Sequence, residues 1–207
     1  MNIENKAILI TGANRGIGRA LVDEALRRGV KKVYAGTRRA LEVADKRVTP
    51  LSLDVTDARQ VQQAVEQVDS LDVLINNAGI AIYDDLTNFE VIEKHLAVNF
   101  LGLLRVTHGF LPALRRSHGA IVNNLSLVGL AALPIIPAYS LFEGGCVQHD
   151  AVTQSALGRP KHKSPRRGFG PGRHRYEPRV RDTKGLARVR GGGHFRWPGK
   201  RPRRDLP

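Results

Sequence analysis

A short apolar run that ends in a glycine-rich turn and opens directly into a helix constrains this chain more than any other stretch. It reads Ile8-Leu-Ile-Thr-Gly-Ala-Asn-Arg-Gly-Ile-Gly18. A strand delivers the backbone to a turn that glycines permit, and the next helix points its free N–H groups and positive dipole end over that turn, as a nucleotide pyrophosphate requires. Gly12 permits the tight turn, Gly16 lets the backbone approach phosphates, and Gly18 lets the helix pack closely on the strand. Ile17, Leu21 and Ala25 recur at i, i+4 and i+8 and predict one apolar helix face. Arg27 and Arg28 suit a helix C-terminus, and Gly29 suits the position just after it.

From Ala7 to Gly79 apolar runs alternate with helical patterns, which predicts an α/β fold with a parallel sheet and helices on both faces. Strands are expected at Ala7–Thr11, Lys32–Gly36, Val48–Leu53, Val73–Asn76 and Ala120–Leu125. A brief helix is expected at Arg39–Lys46. The longest helical region, Glu90 to Leu114, has Val91, Leu96, Val98, Leu101, Leu104 and Leu111 as apolar positions.

The glycine spacing is Gly-x-x-x-Gly-x-Gly rather than the commoner Gly-x-Gly-x-x-Gly. With Thr11 before it, the turn resembles the cofactor motif of the short-chain dehydrogenase/reductase family. Later segments match that family in order: Asp54-Val55 after the third strand, Asn76-Asn77-Ala78-Gly79 after the fourth, Asn99 in the long helix, Ser126 after the fifth strand, and then Tyr139. The resemblance covers residues 1 to about 140 and implies a Rossmann-type doubly wound parallel sheet of about five strands. It implies a nicotinamide cofactor held by Gly12, Asn14, Arg15, Gly16, Ile17 and Gly18, with Asp54 and Val55 over the adenine and Asn76, Ala78 and Gly79 on the ribose side. The alternative for Asp54 is to cap a helix beginning near Thr56, and both roles can hold at once.

Cofactor choice is read at the end of the second strand, where an acid binds a ribose 2′-hydroxyl and Arg favours a 2′-phosphate. Thr37-Arg38-Arg39 stands there, so Arg38, with Arg15 in the turn, points to NADP(H) over NAD(H); the alternative is a solvated basic surface. By the same resemblance the substrate is a small carbonyl or alcohol, Tyr139 is the proton donor, Ser126 the orienting hydroxyl, and Asn99 holds a relay water. The long helix would serve a homodimer or tetramer.

The chain of 207 residues carries a net charge of +14, and its distribution matters more than its size. Residues 1–140 hold 16 Lys plus Arg against 14 Asp plus Glu; residues 141–207 hold the remaining 33 − 16 = 17 and 19 − 14 = 5. The expected organisation is therefore a balanced domain at 1–140 and an irregular, Gly-, Pro- and Arg-rich basic tail at 141–207, which argues against a nucleic-acid protein in which charge is built into the fold. A solvated tail is the expectation, with RNA binding through Tyr176, Phe195 and Trp197 the weaker alternative. No signal peptide pattern and no long apolar run is read, so a cytosolic protein without membrane attachment is expected. Cys146 is the lone cysteine, and His95, His108 and His118 lack metal-ligand spacing, so no metal site is expected.

One departure from the family's pattern stands out. Its Tyr-x-x-x-Lys motif reads Tyr139-Ser-Leu-Phe-Glu143 here. Read from the second nucleotide, codons for residues from Phe142 onward permit Ser-Lys-Ala-Ala-Ala-Phe-Ser-Met, which sets a lysine over Glu143. The same frame gives family-like runs over Gly170–Pro178 and Lys184–Gly199. This reading expects one inserted nucleotide near codons 141–142 as the origin of the tail. The alternative to an oxidoreductase that interconverts a carbonyl and an alcohol is a nucleotide-binding scaffold without catalysis.

Overall fold

The computed structural model describes residues 2–39 and 41–156; the readings that concern residues 157–207 lie outside the described residues. Five strands, β1 (Ala7–Thr11), β2 (Lys32–Thr37), β3 (Val48–Ser52), β4 (Val73–Asn76) and β5 (Ala120–Asn123), form one sheet in the order β3-β2-β1-β4-β5, every pair parallel. The helices are α1 (Gly16–Arg27), α2 (Ala58–Gln67), α3 (Phe89–His95), α4 (Leu103–Arg116) and α5 (Pro137–Ala156).

Alternation along β1 builds both halves of the core, because successive side chains leave opposite faces of a strand. Ile8 and Ile10 join Val22 and Ala25 of α1 with Val33 and Ala35. Ala7 and Leu9 join Val61 and Ala64 of α2 and Val106, Phe110 and Leu114 of α4. Strands buried on both faces explain why β1 reads as a continuous apolar run.

Four expectations need correction. The buried positions of α1 are Gly18, Val22 and Ala25, whereas Ile17 is 63% exposed at the mouth of the turn. No helix forms among the described residues of 39–46. Asp45 instead accepts from the Arg47 N–H at 2.9 Å, a local turn, and eight residues are too few to nucleate a helix without packing. The long helix is interrupted by a π-helical segment, Leu96–Gly102, and buries His95, Asn99, Gly102, Leu103, Val106, Thr107, Phe110 and Leu114. The expected apolar positions 91, 96, 98, 101, 104 and 111 all keep some exposure, since the extra residue per π turn rotates the buried stripe. Finally, helical structure does not stop at Ser140: α5 runs on to Ala156 and buries Ala138, Ser140, Glu143 and Cys146. Gly144 and Gly145 weaken a helix by propensity, yet a Cβ at Gly145 would stand 3.2 Å from the Phe100 ring, so the glycine permits the close packing that holds α5 in place.

By length and composition the continuous run Phe89–Arg116 could cross a membrane. In this fold it is the helix layer against β4 and α2.

Candidate active site

In the order β3-β2-β1-β4-β5 the chain reverses direction of winding between β1 and β4, and a crevice opens past the carboxyl ends of those strands. Gly12 leaves β1 with φ +66°, and a Cβ there would stand 3.1 Å from Ala78 Cα. Thr11 fixes this corner: its Oγ1 accepts from the N–H groups of Asn77 and Ala78 at 2.9 and 3.0 Å. Asn77 donates in turn to the Thr11 carbonyl at 3.0 Å and accepts from Asn124 Nδ2 at 3.0 Å. The ends of β1, β4 and β5 are thus tied to one another.

Helix α1 starts at this corner with Arg15 in extended conformation and no side chain capping its first N–H groups. Gly16 has φ +53° and open space where a Cβ would be. Free N–H groups beside empty volume suit an anion. A Cβ at Gly18 would fall 2.1 Å from the Gly12 carbonyl oxygen, so that glycine is fixed by packing.

A cleft of about 540 Å³ runs along these strand ends, and it brings together every residue expected from the sequence except Ser126. Its lining includes Gly12, Asn14, Arg15, Gly16, Ile17 and Gly18 of the turn and α1, Arg38, Asp54 and Val55 after β2 and β3, Asn76, Ala78 and Gly79 at and after the end of β4, Asn99 of the π segment and Tyr139 of α5. Arg15 and Arg38 are exposed, with no carboxylate partner among the described residues. Asp54 accepts from Thr56 N–H and Oγ1 at 2.8 and 2.7 Å, while the cap of α2 is Asp57, which accepts from Arg59 and Gln60 N–H. The capping alternative for Asp54 is therefore corrected to a turn within the loop.

Buried Asn76 donates to Thr107 Oγ1 and Asn123 Oδ1 at 3.0 and 2.8 Å, which holds α4 and β5 onto β4. Asn99 uses both ends of its amide on Ile80, accepting from its N–H at 2.9 Å and donating to its carbonyl at 2.7 Å. Its backbone carbonyl accepts from the Cys146 thiol at 3.4 Å. His95 is fully buried and structural: Nε2 accepts from Ile82 N–H at 3.1 Å while Nδ1 meets the Val91 carbonyl at 2.9 Å.

Ser126 does not line the cleft; its Oγ accepts from Val128 N–H at the start of a short 3₁₀ turn, Leu127–Gly129. Tyr139 stands one helical turn before Glu143 on α5, both line the cleft, and the Tyr139 ring lies 6.0 Å from that of His95. Glu143 is 6% exposed and its Oε2 accepts from Ser126 N–H at 2.8 Å. Burial pushes the Tyr139 phenol above its usual value, the Ser126 side chain works against this, and the nearby Glu143 charge adds to it. Burial likewise raises the Glu143 carboxyl, opposed by the Ser126 N–H bond and the Tyr139 side chain. The Cys146 thiol is pushed up to about 11 by burial and then by Glu143. Sequence reasoning took Thr11 only as the first residue of the glycine motif and read Glu143 only as a misplaced charge. A polar residue closing an apolar strand, as Thr11 does, was the available signal for the first.

A family model for short chain dehydrogenases matches residues 6–142. The chain belongs to the short-chain dehydrogenase/reductase family. Among curated proteins it is 35% identical over 145 residues to the 3-ketodihydrosphingosine reductase of Bacteroides thetaiotaomicron, covering 67% of this chain and 53% of that protein. It is 29% identical over 171 residues to mouse estradiol 17-beta-dehydrogenase 2, covering 75% and 45%. Among solved structures, a short chain dehydrogenase from Burkholderia cenocepacia in complex with NADP superposes with a TM-score of 0.74 at 33% identity, over 76% of this chain and 69% of that one. The family is one of oxidoreductases acting on small molecules, and a nicotinamide cofactor accords with that neighbour. The chain spans about half the length of the curated relatives it matches.

Proposed function

We propose that this chain carries the site of an NADP(H)-dependent oxidoreductase that interconverts a carbonyl and an alcohol, impaired near neutral pH by Glu143. The carrying observation is the joining, in one cleft, of the uncapped N-terminus of α1 with Tyr139. Free N–H groups of α1, with Gly12 and Gly16, fit a pyrophosphate; Asp54 and Val55 flank the adenine, and Asn76, Ala78 and Gly79 face the ribose side. Arg15 and Arg38, free of carboxylates among the described residues, would pair with a 2′-phosphate. When bound, the nicotinamide supplies or accepts hydride. Tyr139 gives the proton to the carbonyl oxygen, Ser126 orients that oxygen, and Asn99 holds the Ile80 segment at the catalytic end of the cleft.

Impairment follows from charge. An opposite charge one helical turn from a phenol, at effective dielectric ~20, is worth roughly 3 kcal/mol, or about 2 pKa units. Glu143 supplies the wrong sign there. The family match ends at residue 142, immediately before Glu143, in keeping with an inserted nucleotide near codons 141–142 and with a domain at 1–140 followed by a tail of separate origin. A cofactor-binding scaffold without turnover is the second reading, favoured by the same Glu143. A cytosolic enzyme is proposed, on the packing of the Phe89–Arg116 run inside the domain, and fractionation of expressing cells decides it.

Titration with both cofactors tests the binding half. NADPH is expected to bind tighter than NADH, and Arg38→Asp to reverse the order; equal dissociation constants in the unmodified chain would remove the case for NADP(H). Single-turnover NADPH oxidation with a panel of ketones, quinones and aldehydes tests the catalytic half. The frame-restored protein is expected to be much faster at neutral pH, and equal rates would mean that Glu143 and the tail are native.

A further inference from the structure

The helix that carries Tyr139 has no cap of its own. Its first residue is Pro137, which has no N–H, and the residue before it is Ile136, whose side chain cannot accept a hydrogen bond. Ser140 N–H makes the first bond of the helix, to the Ile136 carbonyl at 3.0 Å, so the N–H groups of Ala138 and Tyr139 need acceptors from outside α5. Asp84, 54 residues before Ala138 in the chain, supplies one: its Oδ1 accepts from Ala138 N–H at 3.4 Å, and its own N–H donates to the Ile135 carbonyl at 3.4 Å. A carboxylate there also suits the positive end of the helix dipole.

The segment that Asp84 ties to α5 follows Gly79 and is fixed twice more. Asn99 bonds both backbone groups of Ile80, at 2.9 and 2.7 Å, and His95 accepts from Ile82 N–H at 3.1 Å. Asp84 Oδ1 also accepts from Leu86 N–H at 3.2 Å, and Leu86 takes φ +66°, a conformation that a leucine keeps only where its surroundings impose it. Asp84 Oδ2 is buried with no donor on it among the described residues, so the carboxylate belongs to this contact and not to water. We propose that Asp84 is a positioning residue for Tyr139: it locks the N-terminus of α5 to residues 80–84 and so sets the place of the phenol against the framework that Asn99 and His95 hold. This role rests on the reading of Tyr139 as the proton donor, and Asp84 itself does not line the cleft.

A cap and a tie differ in what can replace them. An acceptor placed at residue 136 caps the helix again but leaves residues 80–84 unattached to it. Proton donation needs the phenol within hydrogen-bond reach of the substrate oxygen, and a displacement of about 1 Å costs up to roughly a hundredfold in rate. The bonds of Asp84 go to Leu86, Ile135 and Ala138, none of them in the glycine turn or α1. Loss of the tie is therefore expected to slow the chemical step and to leave cofactor binding intact.

The experiment uses the full chain with tyrosine carrying ¹³C at the ring carbon bearing the hydroxyl, the Tyr139 and Tyr34 signals being assigned by their loss in Tyr139→Phe and Tyr34→Phe. Tyr34 is buried in β2 and reports the fold. In Asp84→Ala the Tyr139 signal is expected to move with the Tyr34 signal in place, and in Asp84→Asn, which keeps an acceptor, to stay where it is in the unmodified chain. Adding Ile136→Asp to Asp84→Ala is expected to recover the thermal midpoint lost by Asp84→Ala but not the Tyr139 signal. An unmoved Tyr139 signal in Asp84→Ala overturns the proposal, as does an equal displacement in Asp84→Asn. Return of the signal with Ile136→Asp also overturns it, since Asp84 would then be a helix cap only. If Asp84→Ala alone does not fold, the double variant decides: Tyr139 displaced with Tyr34 in place supports the tie, and Tyr139 unmoved overturns it. In single turnover at saturating NADPH, Asp84→Ala is expected to be roughly ten- to a hundredfold slower with the NADPH dissociation constant unchanged, and Asp84→Asn to match the unmodified chain. Measurable and equal rates in Asp84→Ala and the unmodified chain overturn the proposal. Absence of turnover in every protein, with the Tyr139 signal displaced as expected, would instead sink the enzyme reading and leave the tie between Asp84 and Tyr139 standing.

Discussion

A methyl group at Gly18 has nowhere to go. Its carbon would sit 2.1 Å from the Gly12 carbonyl oxygen and 2.7 Å from Asn77 Nδ2, both parts of the corner that joins β1 to β4. Gly18→Ala is expected to cost about 3 kcal/mol in urea unfolding, at the upper end for overpacking, and to abolish cofactor binding; unchanged stability would mean the corner yields freely. Glu143 sets a pH dependence of stability whose sign is fixed by burial. Its folded-state pKa lies above the unfolded one, so the folded state binds more protons between the two values. Stability therefore falls as pH rises from the ordinary carboxylate pKa through the raised one, and the penalty is complete above it. Glu143→Gln is expected to flatten this slope and to be the more stable protein at pH 8, read as urea midpoints at pH 4.5 and 8.

The helix between β4 and β5 does its work through its break. Within the π segment the Asn99 side-chain amide is bonded to Ile80, where donor and acceptor are both used. Asn99→Asp keeps the shape and loses the donor, leaving a carboxylate oxygen against the Ile80 carbonyl. A loss of about 2 kcal/mol is expected, with faster amide exchange in residues 80–86. Exchange unchanged in that loop would show that Asn99 does not hold it.

Across the whole sheet, β3 and β5 are the edges among the described residues, and Val122 of β5 is 41% exposed. An unpaired apolar edge is a template for strand addition. The full chain is expected to self-associate as its concentration rises, and Val122→Lys to suppress this in sedimentation velocity without changing the thermal midpoint by more than a few degrees. A monomer at all concentrations would show that β5 is covered.

Local sequence determined β1, the glycine turn, α1 and their order, because backbone conformation at Gly12 and Gly16 and a buried apolar run are properties of a few adjacent residues. β4 was equally legible, and so was the order of the site residues from Gly12 to Tyr139. The π segment and the true buried stripe of the long helix were not, since they depend on Asn99 meeting Ile80 and Gly102 meeting Val55, contacts distant in the chain. The continuation of α5 past Ser140 was decided the same way, by Gly145 on Phe100 and by the Glu143 carboxylate on the Ser126 N–H. In sequence Glu143 is a charge of the wrong sign; only the tertiary structure gives it the Ser126 N–H as donor and buries it, because desolvation and hydrogen-bond partners belong to the packed molecule and not to the residue.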